Sequence, residues 1–225
     1  MPNEPVISVR GAAVLEVEPE VAVVWVTVMA RDRDRRRAVE ALADRTNRIT
    51  AQIKGYGEAV EKLDSGRVSV RPEFKEGKPR ERITGYVAQA NLTATVANFD
   101  VLGDLVAGLA DQDMVAVGGP AWQLRPASPV HREARLAAAK AIQRAREYAE
   151  AFGGTITGLL EGADTGLLTA RAQPQRMMAR AGSALAAPGG VREDSTPEFD
   201  FEPETQAVTA QVEARFTMTA PKFDR

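Results

Sequence analysis

The chain has 225 residues, 44% of them hydrophobic, with 29 Lys and Arg against 31 Asp and Glu, a single His and no Cys. Its length and apolar fraction suffice for a sizeable core, and without Cys there are no disulfides, thiolate metal sites, iron–sulfur clusters or cysteine nucleophile. The net charge of -2, with bases interleaved among acids as in RDRDRRR at 31 to 37, lacks the basic stripe of a nucleic-acid-binding protein, and no apolar run approaches the roughly 20 residues of a membrane-spanning helix.

The first predicted element is VISVRGAAVLEVEP, 6 to 19. Ile7 and Val9 alternate with Ser8 and Arg10, and Ala13, Leu15 and Val17 resume the alternation after Gly11. This is a half-buried strand with a bulge expected at the glycine. VAVVWVTVMA, 21 to 30, is apolar on both faces and reads as a central strand covered on both sides. Val39, Leu42, Thr46, Ile49 and Ile53 then mark one stripe of a helix, with Asp34 as N-cap and Gly55 or Gly57 as stop. RVSVRPEF, 67 to 74, is a short strand, and EGKPRER, 76 to 82, a polar turn.

RITGYVAQANLTATV, 82 to 96, has the cleanest period of two. Tyr86, Ala88, Ala90, Leu92, Ala94 and Val96 share one face; Val87, Gln89, Asn91, Thr93 and Thr95 share the other. That order predicts an antiparallel strand with one face on the core. Asp100 is read as the N-cap of a helix carrying Val101, Leu102, Leu105, Val106 and Leu109. MVAVGGPAWQLRP, 114 to 126, is a strand broken at Gly118-Gly119-Pro120, at a bulge or sheet edge.

The longest predicted helix spans 129 to 152, capped by Ser128 and stopped at Gly153-Gly154. Its stripe is Ala134, Ala138, Ala141, Ala145, Tyr148 and Phe152, mostly small residues that let the helix lie close to a sheet. TITGLLEG, 155 to 162, is a strand. Residues 163 to 203 are rich in Ala, Arg, Gly and Pro, and AVTAQVEARFTM, 207 to 218, again alternates cleanly. The long segment is therefore an insertion between two strands, tied down at both ends. The whole reads as α+β, an antiparallel or mixed sheet with helices packed on one face and a long Ala/Pro/Gly-rich insertion before the last strand, in a single domain over 1 to 225.

ISVRGAAVLEVEPEVAVVWVTV, ITGYVAQANLTATVANFDVLGDLV, EARLAAAKAIQRAREYAEAFGG and ETQAVTAQVEARFTM, in this order and spacing, resemble the SIMPL domain family, also called DUF541, the group of the 26 kDa periplasmic immunogenic protein. The segment Ile83 to Asn91 is its most specific part, and the resemblance runs from about Val6 to Met218. It implies an α+β fold, a Met-, Ala- and Pro-rich insertion before the last strand, ring-like or channel-like oligomers in some members and a link to oxidative stress in others. It implies no catalytic residues. Members are often exported, whereas MPNEPVISVRG has neither a basic nor an apolar leader region, so the expectation here is a cytoplasmic protein.

Single residues point to no reaction. His131 has no Cys or second His to join it in a metal site, and no GxSxG accompanies it. Asp111 and Asp113 suit a turn. Glu16 and Glu18 share a solvated strand face, where nothing tunes a general acid. No phosphate-binding glycine motif is present. Trp25 and Trp122 lie in strand patterns and are expected in the core. No catalytic, metal or cofactor residue is therefore assigned. The candidates for interaction are the polar strand face of Gln89, Asn91, Thr93 and Thr95, which could line a cavity or contact a subunit, and Met177 and Met178 in the insertion, since Met suits adaptable binding surfaces. The expected function is a non-enzymatic, homo-oligomeric assembly or binding module with a stress-related role and an unassigned small-molecule ligand; the alternatives are an exported cell-envelope stress protein and, with least support, an enzyme with an unrecognised site.

Overall fold

The computed structural model describes residues 4–74, 83–140, 142–164, 166–167 and 199–221. The elements run β1 (Val6–Val17), β2 (Val21–Asp32), α1 (Arg35–Lys54), β3 (Val60–Phe74), β4 (Ile83–Val96), α2 (Leu102–Ala110), β5 (Val115–Gln123), α3 (Pro129–Lys140), α4 (Gln143–Ala151), β6 (Ile156–Asp164) and β7 (Gln206–Met218). The architecture is α+β, and the chain forms two compact units.

The larger unit holds β2 to β5, α1, α2 and the returning segment 199–205. Its sheet has the order β3-β4-β2-β5, antiparallel at each pairing. The core is the even-numbered face of the two central strands: Ala22, Val24, Val26, Val28 and Ala30 from β2, and Ala88, Ala90, Leu92, Ala94 and Val96 from β4. Onto it pack Ala38, Leu42, Ile49 and Ile53 of α1 and Leu102, Leu105 and Leu109 of α2. Each leucine so buried contributes about 1.5–3 kcal/mol. Helix α1 starts where expected: the Asp34 carboxylate accepts from the backbone N–H groups of Arg36 (2.9 Å) and Arg37 (3.0 Å). Helix α2 is preceded by a 3-10 turn, Phe99–Val101, and Asn98 caps that turn by accepting from the Asp100 N–H at 3.0 Å, whereas Asp100 does not cap α2, whose own N-cap position, Val101, carries no side-chain cap.

Three expectations change here. Strand β2 is central in its hydrogen bonding but not covered on both sides, because α1 and α2 occupy the even face alone; Trp25 is 46% exposed on the other. The α1 stripe passes through Ala38 in place of Val39, which is exposed, because a methyl fits where the helix lies closest to the sheet. Strand β3 begins at Val60, well before the expected Arg67, since irregular pairing between Ser65 and Val68 interrupts the alternation that would have revealed it.

The smaller unit holds β1, α3, α4, β6 and β7, with sheet order β1-β7-β6. The Met218 N–H donates to the Pro5 carbonyl (3.0 Å) and Arg10 meets Glu213 (2.7 Å), so advancing along β1 retreats along β7, an antiparallel pair. Ile7, Val9, Ala214, Phe216 and Met218 form its core with Ala145 and Ala149. Ser128 caps α3 through the Val130 N–H at 3.3 Å. The helix expected over 129 to 152 consists of α3 and α4, joined through i→i+3 bonds from the Ile142 N–H to Ala139 (3.1 Å) and from the Ala145 N–H to Ile142 (2.9 Å), which tighten the turn. The buried stripe continues through Ala149, while Tyr148 and Phe152 are exposed; Ala141 lies outside the described residues.

The Thr46 hydroxyl is buried on α1 without a hydrogen-bond partner among the described residues. Thr46→Val removes that unsatisfied group at equal shape and is expected to stabilise the larger unit by about 1 kcal/mol, read as a rise of the thermal midpoint of about 2–4 °C. An unchanged or lower midpoint contradicts this assignment.

Candidate functional site

The polar residues of β4 lie on the face that the helices leave open. Their setting follows from the register. Asn91 stands opposite Thr27, Gln89 opposite Met29 and Ser69, Thr93 opposite Trp25 and Asp64, and Thr95 opposite Val23 and Lys62. Gln89 Nε2 donates to Asn91 Oδ1 at 3.2 Å, and Thr27 Oγ1 donates to the same oxygen at 3.3 Å. The structure thus joins Gln89 and Asn91 in one network. Gly118 of β5 is the neighbour of Trp25 on its other side, and a Cβ placed at Gly118 would meet nothing within 4 Å. The result is an open face with an exposed indole beside amides and hydroxyls. It can make hydrogen bonds and aromatic contacts, and the exposed Lys62–Asp64 ion pair of β3 (2.7 Å) borders it. Met177 and Met178 lie outside the described residues.

A second cluster was not visible in the sequence. Arg125, just after β5, donates to Glu61 of β3 from Nε (3.0 Å) and Nη2 (2.7 Å), while its backbone N–H donates to Glu20 at 2.9 Å. The partners lie 64 and 105 positions away in the chain, so no local pattern announces them. The hydrogen bond from Arg125 holds the Glu61 carboxyl below its ordinary value and raises the guanidinium of Arg125. The geometry is that of a clamp on three chain segments.

Two clefts are formed by described residues of the larger unit. One, of about 510 Å³, lies at the end of β2 and is lined by Arg31, Asp32, Arg33, Arg37, Glu73 and Thr84 among others. The other, of about 870 Å³, lies at the start of α2 and is lined by Phe99, Asp100, Asp104, Phe199, Asp200 and Phe201 among others. There the returning segment touches α2: a Cβ at Gly103 would collide with the Phe199 carbonyl oxygen, and the rings of Phe199 and Phe201 stack with centroids 5.8 Å apart. Burial, followed by the charge of Asp104, raises the pKa of Tyr56.

The remaining candidates fall as follows. Trp122 packs edge-on against Phe99, centroids 4.9 Å apart, at the margin of the core; Trp25 does not join it. His131 sits in the first turn of α3, its N–H donating to the Ser128 carbonyl. Asp111 ends α2 and Asp113 follows in an exposed turn. Among the described residues no group of three or more His, Asp or Glu is placed to hold a metal ion, and no helix is long and apolar enough to cross a membrane.

Strands β1 and β7 pair end to end, and β4 carries the alternation of the ITGY segment in the middle of its sheet. These features fall within one family match: residues 7–216 match SIMPL, described as a protein of unknown function (DUF541). The chain belongs to the SIMPL (DUF541) family. No curated protein matches it.

Two outcomes are expected. Gln89→Ala combined with Asn91→Ala, one half-buried position and one exposed, should change stability by about 1 kcal/mol or less while weakening assembly or binding measured by light scattering; unaltered behaviour removes this face as a site. The depressed pKa of Glu61 means that its contribution is present above the ordinary carboxylate value of 4.5 and lost as pH falls through the lower folded value. Glu61→Gln should therefore lower the thermal midpoint at pH 7, and the gap from the parent should close on acidification; a gap independent of pH contradicts the clamp.

Proposed function

We propose that this protein is a non-enzymatic module that works by assembling into a homo-oligomer, with any stress-related role exerted through binding. One observation carries the reading. In the order β1-β7-β6, β6 is an edge strand, and its Leu159 and Leu160 are 64% and 55% exposed. The register slips between Leu159 and Glu161, so the strict alternation of a regular strand does not apply there, and the edge presents two adjacent exposed leucines. An edge of that kind invites pairing with another chain unless it is covered. Irregular register at Ile156/Gly158 and Leu159/Glu161 limits the pairing to a short stretch, which favours a defined contact over open-ended aggregation.

The titratable groups support binding over catalysis. Among the described residues, those with displaced values are Tyr56, Glu61 and Arg125. Burial explains the first, and the Glu61–Arg125 hydrogen bond explains the other two, whereas a general acid or base needs its pKa tuned within a substrate cleft.

Absolute mass in solution tests the reading. The parent chain should form an oligomer of defined size, and Leu159→Glu with Leu160→Lys should reduce its mass while preserving the circular dichroism spectrum. A parent chain that is monomeric over the accessible concentration range overturns the proposal.

A further inference from the structure

We propose that the arginine-lined cleft at the end of β2 receives the acidic, aromatic cleft at the start of α2 of a second copy of this chain, in a head-to-tail contact. This rests on the assembly reading above and identifies a surface that it leaves open.

At the first cleft, Arg31 is held by Glu73 at 3.0 Å, and Asp32 accepts from the Asp34 N–H at 2.8 Å. Asp34 itself is occupied in capping α1. Asp32 and Asp34 keep their negative charge but spend their oxygens on backbone N–H groups, while Arg33 and Arg37 on the cleft wall, and Arg35 beside them, make no ion pair among the described residues, which leaves the cleft with a modest excess of positive charge. Arg35, Arg36 and Arg37 fill the first turn of α1, where the Asp34 cap is the carboxylate at the helix end and Arg36 is paired with Glu40 at 3.1 Å. Cations at this end of a helix oppose its dipole, where anions are stabilising. The Asp34 carboxylate offsets this in part, and an incoming carboxylate would relieve the remainder at Arg33, Arg35 and Arg37.

The second cleft has the complementary character. Asp100, Asp104 and Asp200 line it with no basic residue among its lining groups. These three make no ion pair among the described residues, and Glu202 and Glu204 follow on the same exposed segment. Phe199 and Phe201 supply ring faces on which a guanidinium can lie, an interaction that carboxylates alongside strengthen.

Placement decides between a contact within one molecule and a contact between two. The β2–β4 register runs from Ala22↔Val96 to Asp32↔Tyr86. The arginine cleft lies at the Asp32 end and the acidic cleft just beyond the Val96 end, so about 33 Å of strand separates them. Among the described residues, the two clefts of one copy cannot reach each other; the cleft of a neighbour can be brought to either. The contact joins two different surfaces, so it is heterologous and repeats from copy to copy, closing into a ring where the rotation permits. The observations favour a second copy over a free oxyanion because the acceptor on the same unit carries both carboxylates and aromatic faces.

A charge-exchange experiment tests this. Arg33→Glu with Arg37→Glu makes both clefts acidic; Asp104→Lys with Asp200→Lys makes both basic. Acids in the first turn of α1 suit its dipole, so the arginine variant should fold at least as well as the parent, and loss of assembly would not reflect unfolding. Each variant alone should raise the concentration needed for assembly by at least about tenfold. An equimolar mixture should recover the parent mass, because each acidic cleft then meets a basic one. Raising salt from 0.05 to 1 M should weaken the parent contact, as expected for charges in water. A parent that is monomeric throughout defeats the assembly reading and this inference with it. A parent oligomer unaffected by either variant, or variants that dissociate but do not recover on mixing, overturns the pairing of these clefts alone. So does an arginine variant that loses inorganic phosphate binding while keeping the parent mass, which would make the cleft a small-anion site.

Discussion

Ten side chains on the even-numbered face of β2 and β4, from Ala22 to Ala30 and from Ala88 to Val96, interlock under α1 and α2. The rest of the larger unit is arranged around this contact. A slip of one residue in either strand would send Trp25, Asn91 and Thr93 toward the helices and Val24, Val26 and Leu92 into water. The penalty for unpaired amides in the core together with lost apolar burial makes that alternative unavailable. The register of the central pair is continuous over its eleven positions, and irregularities fall where β3 and β5 join it. Edge strands can absorb such shifts because only one side of their ladder must match.

The same constraint accounts for what remains outside. A sheet that gives one face to helices must present the other elsewhere, and here that face holds an exposed indole, an amide pair sharing one acceptor, and a row of hydroxyls. It is too polar to form a second core layer. The smaller unit repeats the plan with alanines at the closest approach of its helices, Ala134 and Ala138 from α3 and Ala145 and Ala149 from α4. Its edge strand β6 ends near the insertion. In both units, the side chains available for recognition are by-products of the alternation that builds the core.

The order of strands and helices, and the β4 and β7 alternations, were legible because burial on one side of a strand leaves a period of two in the residues themselves. The Asp34 and Ser128 caps were legible for a similar reason, since a cap acts within three residues. Helix phase was less so: Val39 and Ala38, or Tyr148 and Ala149, fit the apolar period about equally, and the distance between helix and sheet selects the smaller side chain. Asp100 resembled a cap, but a 3-10 turn precedes α2, and it is that turn which Asn98 caps. Of the candidate site, Gln89, Asn91, Thr93 and Thr95 were placed correctly on one face by the pattern, whereas Thr27, Trp25 and Gly118 joined them only through the register.

What the amino-acid sequence determined by itself is thus local and periodic: which stretches become strands or helices, which residues of β4 turn inward, and the family to which the chain belongs. Tertiary structure decided everything that depends on partners distant in the chain. It set Arg125 against Glu61 and Glu20, left Trp25 on an open face in spite of its apolar neighbours, and put at opposite ends of one sheet arginines and aspartates that make no ion pair among the described residues. The physical reason is that periodicity records whether a side chain is buried, whereas charge pairing and surface position depend on which strands lie side by side, and no period in one strand encodes its neighbour.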